Sequence, residues 1–217
     1  MKRGFFCWVV VFCCVFLSDS AARAANGAFY FGLHGGGVIL RDLEENLTSE
    51  IEMKEGYGLG AVAGYTLKNF DRANLRFEGE VTFRKNDTDR ARDWPTAGAD
   101  SKIDGDVSSL AVMFNVAVDF INQTPFTPYI MGGLGGARVS FNDFEIDGLG
   151  LILDDHDTVL AYQLGAGCAF TLTNHLFLDL GYRFFATRDA DVTAADGTSG
   201  GINYRSHNVM LGLRFSF

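Results

Sequence analysis

Proline is scarce, with 3 residues in a chain of 217, and long runs of positive charge do not occur. Few prolines leave the backbone N–H groups free for ladder hydrogen bonds over most of the chain, which suits sheet. The 18 Lys and Arg residues against 27 Asp and Glu give a net charge of -9, which argues against nucleic-acid binding, since that requires a basic face. Cysteine is equally thin: Cys7, Cys13 and Cys14 sit at the N-terminus, and Cys168 stands alone beyond them. A lone thiol makes neither an intrachain disulfide nor a metal cluster, so no metal site and no cofactor are expected. Past residue 24 no apolar run reaches the length of about 18 residues that a membrane-spanning helix needs. A mature chain that crosses a membrane must then do so as a closed barrel, the other structure that satisfies its own backbone in lipid.

The N-terminus reads as a secretory signal. Lys2 and Arg3 open it, Phe5 to Leu17 forms its apolar core, and Ala22-Arg23-Ala24 supplies the small residues of a cleavage site. Cleavage is expected after Ala24, with Ala25 as the next choice, leaving residues 25–217 as one β-barrel domain. Val11 and Phe12 precede Cys13 and Cys14 where a lipoprotein signal carries small residues, which argues against lipidation.

The rest of the chain alternates with a period of two, the signature of strands with unlike faces. Tyr57, Leu59, Ala61, Ala63, Tyr65 and Leu67 oppose Gly56, Gly58, Gly60, Val62, Gly64 and Thr66. Leu75, Phe77, Val81 and Phe83 oppose Arg76, Glu78, Glu80 and Arg84; Leu110, Val112, Phe114, Val116, Val118 and Phe120 oppose Ala111, Met113, Asn115 and Asp119. The segments over 28–38, 158–171, 176–184 and from about Ile202 to Phe217 repeat the scheme, while the glycines near 132–136 leave the facing of the segment over 127–140 open. Large apolar groups opposing small and ionisable ones fit lipid outside and a thin polar core inside. Short turns near 70, 123 and 173 alternate with long connections over 41–55, 86–105, 141–157 and 187–201. That spacing predicts an all-β, eight-stranded antiparallel up-and-down transmembrane barrel with both termini on the periplasmic side. Tyr57, Tyr65, Phe70, Phe83, Tyr129, Phe170, Tyr182 and Phe217 lie near segment ends, where interfacial girdles are expected.

Arg76, Glu78, Glu80, Arg84, Asp119, Asp179, Arg183 and Arg214 all fall on the expected inner face. An eight-stranded barrel has an interior just wide enough for side chains, so these charges are expected to form a paired network that plugs the lumen rather than a pore. His34 is expected to hydrogen-bond within that lumen, alone on a glycine-rich face, and Cys168 to serve as a small apolar filler. Ser206 and His207 are neighbours on a strand and point to opposite faces, which disfavours a nucleophile–base pair; no enzyme is expected. The long connections are acidic, with Glu44, Glu45, Glu50, Asp87, Asp89 and Asp93 in the first two and Asp143, Glu145, Asp147, Asp154, Asp155 and Asp157 in the third. They read as a solvated surface, without the spacing of a calcium loop.

Asn74-Leu75-Arg76-Phe77-Glu78-Gly79-Glu80, the stretch Met113 to Phe120, Pro125 to Gly133 and Leu180-Gly181-Tyr182-Arg183-Phe184 resemble the opacity-type outer-membrane barrels of Gram-negative bacteria, relatives of the OmpA barrel. The terminal strand with its last aromatic resembles the signal that the barrel-assembly machinery reads, which assigns that role to Phe215 and Phe217. The resemblance implies a surface protein of the cell outer membrane, lodged among outer-membrane lipid and lipopolysaccharide, with a mainly structural role. Two alternatives accompany it: an adhesin gripping a host protein or glycan through its loops, and a small porin-like channel.

Overall fold

The computed structural model describes residues 27–40, 43–44, 50–53, 55–67, 72–94, 98–146, 150–188, 190–193, 199–202 and 204–217. Its side chains are described over 27–40, 55–67, 72–87, 105–140, 156–188 and 204–217. The signal segment with its cleavage site, Phe70, and most of the acidic side chains of the connections lie outside these residues.

Eight strands build the wall: β1 (Gly27–Leu40), β2 (Gly56–Leu67), β3 (Ala73–Trp94), β4 (Gly98–Phe120), β5 (Phe126–Ile146), β6 (Gly150–Thr171), β7 (Leu176–Thr187) and β8 (Arg205–Ser216). Each pairs antiparallel with the next. β8 returns to β1 in a register that sets Leu33 opposite Leu213 and Tyr30 opposite Ser216. Closure removes the free edges that an open sheet would expose and satisfies every wall strand on both sides, the condition for standing in lipid.

The alternation sorts the side chains as expected. Phe29, Phe31, Leu33, Leu59, Val81, Val112, Phe114, Leu164, Leu180, Leu211 and Leu213 are exposed on the outer face. Their partners in alternation, such as Glu80, Met113, Asn115, Gln163 and Met210, are buried. β5 resolves the face left open by its glycines: Ile130, Leu134 and Arg138 point out, while Tyr129, Met131, Ala137 and Val139 are buried. Tyr129 therefore leaves the expected girdle and joins the interior.

The long connections differ from expectation. β3 and β4 run on as one paired hairpin as far as Trp94 opposite Gly98, so most of 86–105 is strand. β5 and β6 do the same to Ile146 opposite Gly150. Both ladders carry register shifts where they leave the barrel, between Asp87 and Arg90 and between Phe141 and Phe144, and such bulges re-aim a strand. Residues 50–53 add to the β3 extension, and 190–193 pair with 199–202 as a separate hairpin. The last wall strand accordingly starts at Arg205 rather than near Ile202.

Candidate functional site

Three layers of side chains fill the lumen. Nearest the short turns, the Arg76 Nε lies 3.1 Å from Asp119 Oδ1 and its Nη1 3.5 Å from Glu78 Oε1. Tyr30 donates to Glu78 Oε1 and Tyr129 to Asp179 Oδ1, both at 2.6 Å. Arg214 approaches Asp179 Oδ2 at 3.8 Å. The guanidinium of Arg76 also lies 4.8 Å from the centre of the Tyr129 ring, and that of Arg214 5.4 Å from the Tyr30 ring, distances at which the ring face attracts a cation. A cavity of about 30 Å³ remains here, lined among others by Gly32, His34, Arg76, Asp179 and Arg214, room for about two waters.

Glu80 organises the middle layer. Its Oε1 accepts from Arg183 Nη1 and from Thr82 Oγ1, each at 2.6 Å. Its Oε2 accepts from Asn115 Nδ2 at 2.7 Å and Gln163 Nε2 at 3.2 Å. Gln163 also donates to Asn115 Oδ1 at 2.7 Å. These two come from β4 and β6 and meet across β5 because both pair with Gly133. A Cβ on Gly133 would run into Asn115 Oδ1, so glycine is what opens the line between them. His34 Nε2 sits 3.3 Å from Thr82 Oγ1 and 3.6 Å from Glu80 Oε1. It is thus a member of the cluster, hydrogen-bonding in the lumen as its inward position predicts.

Above this, toward the long hairpins, large apolar side chains join the buried polar ones. Val38, Val107, Val139, Phe185 and Tyr204 are fully buried. Arg84 is buried among them, donating from Nε to Asn208 Oδ1 at 3.1 Å, with its guanidinium 4.0 Å from the centre of the Phe185 ring. The thin polar core expected from composition therefore continues into a mixed layer, where Asn86, Ser109, Ser206 and Asn208 are buried beside these apolar side chains.

All eight ionisable residues placed on the inner face by alternation point into the lumen: Arg76, Glu78, Glu80, Arg84, Asp119 and Arg183 buried, Asp179 and Arg214 half-buried. Seven of them join ion pairs among the described residues, and Arg84 does not. Tyr30, His34, Thr82, Asn115, Tyr129 and Gln163 are the members that charge alone does not reveal. Their signal was available in part, since each lies in alternation with an outward apolar residue.

On the outer wall, Ser206 is buried inward, whereas His207 lies outside with its Nδ1 2.6 Å from the Tyr182 hydroxyl and its ring beside Phe184. The two never face each other. At the other end Phe217 packs its ring 5.4 Å from Phe215 and 5.9 Å from Phe31. Cys168 is half-buried with a free thiol.

A family model for the outer membrane protein β-barrel domain matches residues 9–215. The chain is 25% identical to a Rickettsia conorii protein described as a candidate adhesin, over 91% of this chain and 86% of that one. It is 24% identical to the outer membrane protein PagN of Salmonella typhimurium, over 92% of this chain and 93% of that one. Among solved structures, Neisserial surface protein A superposes with a TM-score of 0.54 at 21% identity, over 87% of this chain and 97% of that one. The closed antiparallel wall, its apolar exterior and the match over nearly the whole length agree: this chain belongs to the outer membrane β-barrel domain family, and it is a surface protein of the outer membrane.

Proposed function

We propose that the barrel is a non-conducting holder whose work is done by the paired hairpins it raises above the membrane. One observation carries this reading. The lumen is crossed by the Arg183–Glu80 pair, with Val38, Val107, Val139, Phe185 and Tyr204 buried above it, while β3–β4 and β5–β6 continue as ladders well past Phe83 and Leu134, the last large exposed apolar residues of β3 and β5 among the side chains described. A scaffold filled with side chains has no path to offer solutes, and projecting segments are where binding function concentrates.

The ligand class that fits is a host protein or glycan, and similarity to the Rickettsia conorii candidate adhesin supports it. A non-catalytic role agrees with the opposed facing of Ser206 and His207. Cells displaying the protein with residues 42–54 and 142–155 replaced by short turns should lose attachment to host cells or matrix while keeping a folded barrel. Unchanged attachment would remove the adhesin reading and leave the structural one. The channel reading is tested in planar bilayers, where the purified protein should stay silent.

The signal segment over 1–24 and the terminal aromatics Phe215 and Phe217 complete the proposal: export by cleavage after Ala24, then recognition of the last strand by the barrel-assembly machinery.

A further inference from the structure

Arg84 is a lumen guanidinium with no carboxylate beside it. Its Nε donates to Asn208 Oδ1 at 3.1 Å, and its charge lies 4.0 Å from the centre of the Phe185 ring. Nη1 and Nη2 reach no acceptor among the described residues, although the side chain is fully buried. Glu80, four positions earlier on the same face of β3, is already committed to Arg183, Thr82, Asn115 and Gln163. Asp157, half-buried at the upper end of β6, does not pair with Arg84 either. Removing a cation from water without a counter-charge is expensive, and one ring face and one neutral amide offset only part of the cost.

Two further donors stand unpaired at the same level. Ser109 is the cross-strand partner of Arg84, so the two side chains enter the lumen together from β3 and β4. Its hydroxyl is buried and completes no hydrogen bond among the described residues. The Tyr204 hydroxyl is likewise buried and unpaired, and it stands beside Ser109 and within the field of the Arg84 charge. The backbone fixes Tyr204 there: its N–H donates to Thr187 Oγ1 at 3.1 Å, and its carbonyl accepts from the Thr187 N–H at 2.9 Å. Its ring meets the Phe185 ring edge-on at 5.9 Å. A hydroxyl proton rotates to suit its neighbour, so both hydroxyls are free to donate toward the point that the guanidinium faces.

We propose that the upper lumen holds a small monovalent anion of the halide class, seated between the Arg84 guanidinium and the hydroxyls of Ser109 and Tyr204. A cluster of donors around one buried positive charge repels cations and attracts an anion. Water can accept from these donors but cannot balance the charge, whereas a halide does both. Its small spherical shape suits a layer in which Phe185 and Tyr204 already take up much of a narrow bore. The site goes beyond the holder role, since it gives the plug itself a ligand.

The test refolds the protein into phosphatidylcholine vesicles in sodium chloride, sodium bromide or sodium gluconate and measures the urea midpoint. Ionic strength is held constant so that screening is equal, and gluconate is too large for the site. Refolding is used because an ion in the lumen is enclosed as the ring closes. Chloride and bromide should raise the wild-type midpoint above that in gluconate, and the rise should follow a one-site saturation curve, as for a ligand that binds the folded state alone. Tyr204→Phe keeps the ring and removes one donor, so it should need about tenfold more chloride for half the rise, the worth of one hydrogen bond to a charged group. Arg84→Met should fold without any halide-dependent rise. Crystals grown in sodium bromide should show anomalous scattering beside Arg84. Equal midpoints in the three salts, a Tyr204→Phe curve that matches wild type, or no bromide beside Arg84 overturns the site. Should Arg84→Met fail to fold, Tyr204→Phe and the bromide position decide.

Discussion

Arg183 and Glu80 stand on β7 and β3, opposite walls of the barrel, and their side chains meet in the middle at 2.6 Å. The pair reports the bore directly, since two side chains span it. Taking both charges out of water is costly, and the extra donors from Thr82, Asn115 and Gln163 offset part of that cost.

Replacing Glu80 by Ala should therefore leave Arg183 buried without its partner and destabilise the barrel by about 3–5 kcal/mol. The double replacement Glu80→Met with Arg183→Met should cost far less than the sum of the two single changes. Urea unfolding in lipid vesicles, read as a double-mutant cycle, measures the difference. Additive losses would mean that the two groups are not coupled.

Gly133 and Gly132 are neighbours with opposite demands. Gly133→Val places side-chain atoms where Asn115 Oδ1 now lies, whereas a Cβ on Gly132 meets Leu164 at 3.4 Å, an ordinary contact. Gly133→Val should cost about 1–3 kcal/mol, and Gly132→Ala should be close to neutral. Equal effects on the folded fraction would refute the close approach of Asn115 to Gly133 in the middle layer.

The outer wall should show depth dependence. Leu211, exposed midway along β8, should lose about 2–4 kcal/mol on change to Arg, while Thr158→Arg near the rim should lose about 0–1 kcal/mol. Folding titrations into vesicles give both numbers. Similar costs at the two depths would place Leu211 outside hydrocarbon.

Removal of Phe217 separates assembly from stability. Its ring is exposed against Phe31 and Phe215, and its N–H donates one hydrogen bond to the Phe29 carbonyl, so the shortened protein should fold in detergent nearly as well as the full chain. In cells its outer-membrane level should fall. A normal level in cells would end the terminal-signal role.

The alternation legible in residues 75–84, 110–120 and 208–217 already implied two unlike faces, because strand side chains point to opposite sides whatever the context. The same rule placed all eight lumen ionisable residues, but the facing of β5 was hidden. Glycines at 132, 133, 135 and 136 carry no side chain to mark a side, and pairing with β4 and β6 assigned it. Tyr129 looked like a girdle residue because it lies near a strand end, yet its hydroxyl finds Asp179 inside.

Residue order thus settled that the chain has strands, how many, and, β5 apart, which faces turn outward, since period and turn spacing are local properties. Who touches whom across the lumen was decided by closure. Glu80 reaches Arg183 over a separation of 103 residues, and Asn115 reaches Gln163 because Gly133 stands between them. The burial of Val38, Val107 and Val139 beside Arg84 and Asn86, and the extension of two connections into ladders, likewise depend on register and shear. Those quantities belong to the ring of eight strands as a whole, and no single segment contains them.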